Sequence, residues 1–171
     1  GFAFIADRQA HYNSMGHHAA YLSHSDEARD QVDWNPEYSR RGRGFAAYAA
    51  IASLGRSGIT TLVDDCCRHA HHIVTRAGEI PGVEILHVPF LNQGLLRFPD
   101  PNPAATSEDH DRHTEAVTAR INATGEAQFA CTTWRGKRCM RVSVSGWATD
   151  ASDADRAVAA IKQAVSTQPS A

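Results

Sequence analysis

From residue 83 onward, short β-prone runs alternate with helical periodicity, and this order narrows the fold more than any other feature. Residues 83–88 (VEILHV) and 94–98 (GLLRF) are two strand-like runs. Ser107 opens a weakly amphipathic helix carrying Val117 and Ile121. Residues 127–134 and 139–145 flank the turn Arg135-Gly136-Lys137 and read as a hairpin. A closing helix carries Ala154, Val158, Ile161 and Val165, with Ser152 and Asp155 as a capping-box-like start. Upstream, Phe45, Tyr48, Ile51 and Leu54 give one apolar helical face that Gly55 is placed to stop. Ser57 is placed to cap a second helix, with Ile59, Leu62, Cys66, Ala70, Ile73 and Val74 at helical spacing, ending between Gly78 and Gly82. Helix, helix, strands, helix, hairpin, helix predicts an α+β layer, a mainly antiparallel sheet covered by helices on one face.

The first 36 residues behave differently. Residues 1–6 alternate like the end of a buried strand. Asn, Ser, Gly, Asp and Pro then punctuate residues 7–36, leaving room for a short helix over 7–13. A polar connection of this length inside a folded protein is usually functional or mobile.

Composition removes several classes of function. The 171 residues are 42% hydrophobic and 21% charged, which is globular composition. A net charge of −2 argues against a basic nucleic-acid binder, so Arg40, Arg41 and Arg43 read as salt-bridge or interface residues. No run reaches the roughly 18–20 apolar residues of a spanning helix, and the apolar start is short for a signal peptide. The expected compartment is therefore the cytoplasm. Cys66, Cys67, Cys131 and Cys139 form no paired motif and read as free, mostly buried thiols. His69, His71 and His72 do not converge with Cys66 into the three or four ligands a metal needs, and read as polar helix-surface residues; His17-His18 has no further ligands either.

Two positions suggest chemistry. Tyr21 sits in AAYLSHS within the long polar segment, where an aromatic hydroxyl on a closing loop can donate a proton. Arg141 sits alone in the strand MRVSVS. A lone strand arginine needs a partner, either a structural ion pair or a bound carboxylate gripped by its guanidinium fork.

In order, GFAFIADR, AAYLSHS, DWNPEYSRRGRGFAAYAAIASLGRSGI, LNQGLLRF and TTWRGKRCMRVSVSGWATDASDADRAVAAI resemble the C-terminal part of pyridoxal-phosphate-dependent group II amino-acid decarboxylases. These are the relatives of aromatic-L-amino-acid decarboxylase and glutamate decarboxylase. The resemblance covers nearly the whole chain, most specifically after Trp34 and around Arg141. It implies an α/β, aspartate-aminotransferase-like (fold type I) enzyme, of which residues 1–36 are the end of the large domain plus the catalytic loop. Residues 37–78 are then connecting helices, and 79–171 the small α+β domain.

The resemblance also implies functional residues. Tyr21 matches the catalytic-loop tyrosine that helps protonate Cα after CO₂ leaves. His24 matches the histidine of that loop. Arg141 matches the arginine associated with the substrate α-carboxylate. The lysine that binds pyridoxal phosphate is expected upstream of Gly1, because Lys137 reads as a turn residue and Lys162 as an exposed helix residue. The chain alone is then expected to be inactive, and the complete protein to be a homodimeric decarboxylase acting on an amino acid, without nucleic-acid or membrane partners; the alternatives are a pyridoxal-phosphate enzyme of the same fold with another reaction type, or a non-catalytic α+β interaction module.

Overall fold

A computed structural model describes residues 3–16, 30–36 and 41–167. The chain divides into two units, Gly1–Ser53 and Leu54–Ala171. Helix α2 (Arg43–Gly78) runs through the division and is interrupted at Gly55 (φ 62°, ψ −172°), the residue expected to stop it.

In the first unit, helix α1 (Arg8–Met15) starts where Asp7 Oδ1 accepts the Ala10 N–H at 2.9 Å. A 3-10 turn, Gln31–Trp34, is capped by Asp30. Trp34 gathers α1 around it. The His11 ring meets its edge at 5.3 Å, Tyr12 lies at 5.9 Å, and the Arg8 guanidinium stacks at 5.1 Å. The strand expected over residues 1–6 is not formed at residues 3–6, which are exposed and unpaired. β-propensity alone makes no strand; a neighbour must supply the hydrogen bonds.

In the second unit, β1 (Glu84–His87), β2 (Gln93–Arg97), β3 (Ala130–Trp134) and β4 (Lys137–Ser143) form an antiparallel sheet in the order β1-β2-β4-β3. The β3–β4 turn is two residues, Arg135 and Gly136, at φ 49° and 77°. This left-handed pair matches the twist of the flanking strands. Asn92 extends the β2–β4 pairing past its end, its amide donating to Val144 O at 2.7 Å while its own carbonyl accepts the Val144 N–H.

Helix α3 (Ser107–Ala123) and helix α4 (Ala151–Ser166) join the later turns of α2 on one face of the sheet. Leu96, Phe98, Met140 and Val142 meet Ile73 and Val74 of α2, Val117 and Ile121 of α3, and Ala157, Ala160 and Ile161 of α4 in one buried cluster. The alanines of α4 let its backbone come close, and Val158 and Val165 sit at the cluster's edge, half-buried. His69 is also buried, on the stripe of Cys66, Ala70 and Ile73, which corrects the expectation of a surface histidine. His72 reaches Asp155 of α4 at 2.8 Å. Cys66 and Cys139 are buried and Cys67 and Cys131 half-buried, and burial pushes the Cys66 thiol up.

Both packing helices begin with reciprocal caps. At α3, Thr106 Oγ1 accepts the Asp109 N–H and Asp109 Oδ2 accepts the Thr106 N–H at 2.8 Å. At α4 the pair is Asp150 and Asp153, two residues before the expected Ser152 and Asp155. Both spacings suit a capping box. The Thr149–Gly146 turn delivers the chain at Asp150, and Asp155 is used instead by His72. Hydrogen bonds from Thr106 hold the Asp109 carboxyl below the usual carboxylate range.

A carboxyl lowered in the folded state stabilises the fold above its unfolded pKa of about 3.9, and that contribution is lost as pH falls through the lower folded value. Asp109→Asn is therefore expected to lower the thermal midpoint at pH 7. The gap from wild type should narrow in melts below about pH 4. A pH-independent gap would contradict a charged cap.

Candidate functional site

In strand β4 Met140 and Val142 are buried in the core cluster, so Arg141 between them stands on the opposite face, where it is exposed. Its Cα partners are Leu95 on β2 and Ala130 on β3. Arg141 makes no ion pair or side-chain hydrogen bond among the described residues. Neighbouring arginines are engaged. Arg97 donates to Asp111 at 2.6 Å, and Arg138 donates to Glu115 at 2.6 Å. Asp111 of α3 also accepts the Arg138 backbone N–H, tying β2 and β4 to the helix. The structural alternative for Arg141, an ion pair within the sheet, is not what the described residues form.

Beside Arg141 lies a depression of about 310 Å³. Its lining includes Leu95, Gln93, Thr132, Trp134 and His87. The Trp134 ring is 6.4 Å from the His87 ring, and the Arg135 guanidinium stacks on it at 5.5 Å. Cys139, on the same face two residues before Arg141, is fully buried, with its Sγ–H towards Thr132 O at 3.5 Å. Burial, then the neighbouring Cys131, pushes its thiol up, so it is no nucleophile at neutral pH. The face offers one free guanidinium, two neutral polar side chains, an imidazole and an aromatic wall. That is the chemistry of holding an anion with an apolar or aromatic body, not of attacking it.

Tyr21 and His24 lie outside the described residues, as does Arg40. A larger recess of about 770 Å³ in the first unit is lined by residues 3–6 with Arg8, His11 and Trp34. Its polar groups are occupied with one another, Arg8 on the Trp34 ring and His11 Nε2 at 3.1 Å from Trp34 O. Among the described residues no three His, Cys, Asp or Glu side chains gather for a metal, and no helix is long and apolar enough to cross a membrane. Nothing in the sequence singles out His87 or Trp134. Plain alternation over 83–88 places His87 on the side of Ile85, and a tryptophan before a turn carries no signal of what it faces.

No protein-family model and no curated protein matches the chain by sequence. Its fold does match solved structures. Oryza sativa TDC, crystallised with PLP and tryptamine, superposes with a TM-score of 0.76 at 21% identity, over 90% of this chain and 33% of that one. Mouse CSAD gives a TM-score of 0.76 at 15% identity, over 92% of this chain and 34% of that one. Catharanthus roseus tryptophan decarboxylase in complex with L-tryptophan gives 0.71 at 16%, over 90% and 32%. The chain thus spans about a third of the length of these structures and has the fold of that third, part of a fold type I architecture with an α+β layer.

Because Arg141 holds nothing within its own unit, Arg141→Gln should change unfolding free energy by no more than about 0.5 kcal/mol. Arg97→Met, which removes the charged partner of Asp111 and leaves its carboxylate only the Arg138 N–H and solvent, should cost about 1.5–3 kcal/mol. Urea denaturation of both variants checks the contrast. Equal losses would mean that Arg141 is a structural residue.

Proposed function

We propose that the chain is the C-terminal part of a pyridoxal-phosphate-dependent amino-acid decarboxylase, a carboxy-lyase that releases CO₂ from an L-amino acid to give an amine. The observation that carries this reading is Arg141, a guanidinium with no ion pair among the described residues, on the sheet face opposite the core cluster and at the position where the sequence resembles the carboxylate-binding arginine. The fold shared with solved decarboxylases supports it. In this reading residues 1–36 close the large domain and carry the catalytic loop, 37–78 connect, and 79–171 form the small domain of a cytoplasmic homodimer.

The residues present do not fit the covalent site of the cofactor. Lys137 lies next to the β3–β4 turn with its ammonium 3.6 Å from Glu84, and Lys162 is exposed on α4. In this reading the covalent lysine belongs to a preceding segment of the complete protein, and this chain alone is inactive. Pyridoxal phosphate, when bound there, supplies the electron sink.

The chain's own contributions are orientation and proton delivery. Arg141 fixes the substrate carboxylate through two parallel N–H···O bonds, which sets the direction of the bond to be broken. Leu95 and Trp134 keep part of that surface apolar, and lower hydration of a carboxylate favours leaving as neutral CO₂. Tyr21, on its loop, delivers a proton to Cα once CO₂ has left, and His24 assists in the same loop.

In the complete protein, amine and CO₂ are the expected products; a keto acid would instead indicate transamination. Tyr21→Phe should cut kcat for amine formation by about 100-fold or more with little change in substrate affinity. Arg141→Met should raise KM about tenfold or more. Unchanged turnover in the first variant, or unchanged KM in the second, removes that residue from the mechanism. After borohydride reduction, peptide mapping should find stoichiometric pyridoxyl label at neither Lys137 nor Lys162.

A further inference from the structure

Leu95 of β2 stands opposite Arg141 of β4 on one side and opposite His87 of β1 on the other. His87, Leu95 and Arg141 therefore form one row across three strands, and side chains in such a row share a face. Two strand spacings put the His87 and Arg141 backbones about 10 Å apart, with Leu95 as the floor between them.

A β-bulge is what puts His87 there. Ile85 pairs with Leu96, yet His87 pairs with Leu95, so Leu86 is one residue too many for the ladder. Without it, His87 would fall opposite Gly94, on the face that packs against the helices. A single inserted residue turns everything after it to the other side of the sheet. The opposing strand is shaped for this. A Cβ at Gly94 would come within 3.0 Å of the His87 carbonyl oxygen and 2.8 Å of both Pro89 Cγ and Val74 Cγ2. Only a bare Cα lets the bulged strand and α2 approach at this point.

The redirected imidazole is exposed and lines the same depression as Arg141. Its one ring neighbour among the described residues is Trp134, and it makes no hydrogen bond or ion pair there. The other charged groups at this edge are committed elsewhere, Lys137 to Glu84 and Arg135 to the Trp134 face.

We propose that His87 is a second carboxylate-contacting residue of this face, acting from the opposite side of Leu95 to Arg141. The proposal rests on Arg141 being the carboxylate anchor. A carboxylate offers about four lone-pair sites, of which the guanidinium fork takes two. A ring N–H from His87 takes a third. A neutral imidazole already has that donor, so the contact does not depend on protonation. The pair makes the clamp two-sided: Arg141 supplies charge, and His87 fixes the rotation of the carboxylate about the fork.

The test is an NMR titration of this chain, labelled in histidine and arginine, with 3-phenylpropionate, and with neutral 3-phenylpropionamide as control. The acid should move the His87 ring and Arg141 Nε–H resonances along one saturation curve, and the amide should move neither. His87→Phe keeps a ring against Trp134 but loses the donor, and should weaken binding about tenfold. His87→Gln keeps an N–H donor and should stay within about threefold of wild type. A response at Arg141 with none at His87, or wild-type affinity in His87→Phe, overturns the role of His87 and leaves the anchor standing. Silence at both residues overturns the anchor itself, and the clamp with it.

Discussion

One-sided burial of the four-stranded sheet is the constraint from which the rest of the second unit follows. Leu96, Phe98, Met140 and Val142 need an apolar partner, and α2, α3 and α4 supply it from the same side. Burying one such side chain contributes about 1.5–3 kcal/mol, so the set outweighs any single polar contact in the unit. Strand geometry then leaves no freedom for the residues between. With Met140 and Val142 turned to the helices, Arg141 must face away from them. Core packing and exposure of the guanidinium are one event, seen from two sides of β4.

Polar contacts adjust this arrangement rather than cause it. Asp111 accepts from Arg97 and from the Arg138 backbone, which secures the paired strands β2 and β4 to α3. Reciprocal caps at Thr106 and Asp150 satisfy the first backbone donors of the two helices that cover the sheet. Arg141 and His87, which have no such duty among the described residues, stand on the face opposite the core cluster.

Much of the fold was legible because its periodicities are strong. The two strand runs, the hairpin, the stop at Gly55 and three amphipathic helices lie where the sequence places them, but the hairpin turn is one residue shorter than expected, because Lys137 pairs with Trp134 and opens β4. Legibility failed where a neighbour decides. Residues 3–6 have strand composition but pair with no strand among the described residues, and they are exposed. His69 has a polar side chain, yet its position on the Cys66–Ile73 stripe buries it. At α4 two overlapping cap motifs compete, and the turn before Asp150 chooses between them.

The site divides in the same way. Arg141 was visible from sequence because a lone charge in a β-prone run contradicts its surroundings, and such contradictions mark either an ion pair or a ligand. Its alternation with Met140 and Val142 already determined which way it points. That it has no partner among the described residues, and that His87 and Trp134 stand beside it, only the tertiary structure decided. The reason is the bulge at Leu86: an extra residue in one strand exists only relative to the strand it pairs with, so no pattern within residues 83–88 can show it.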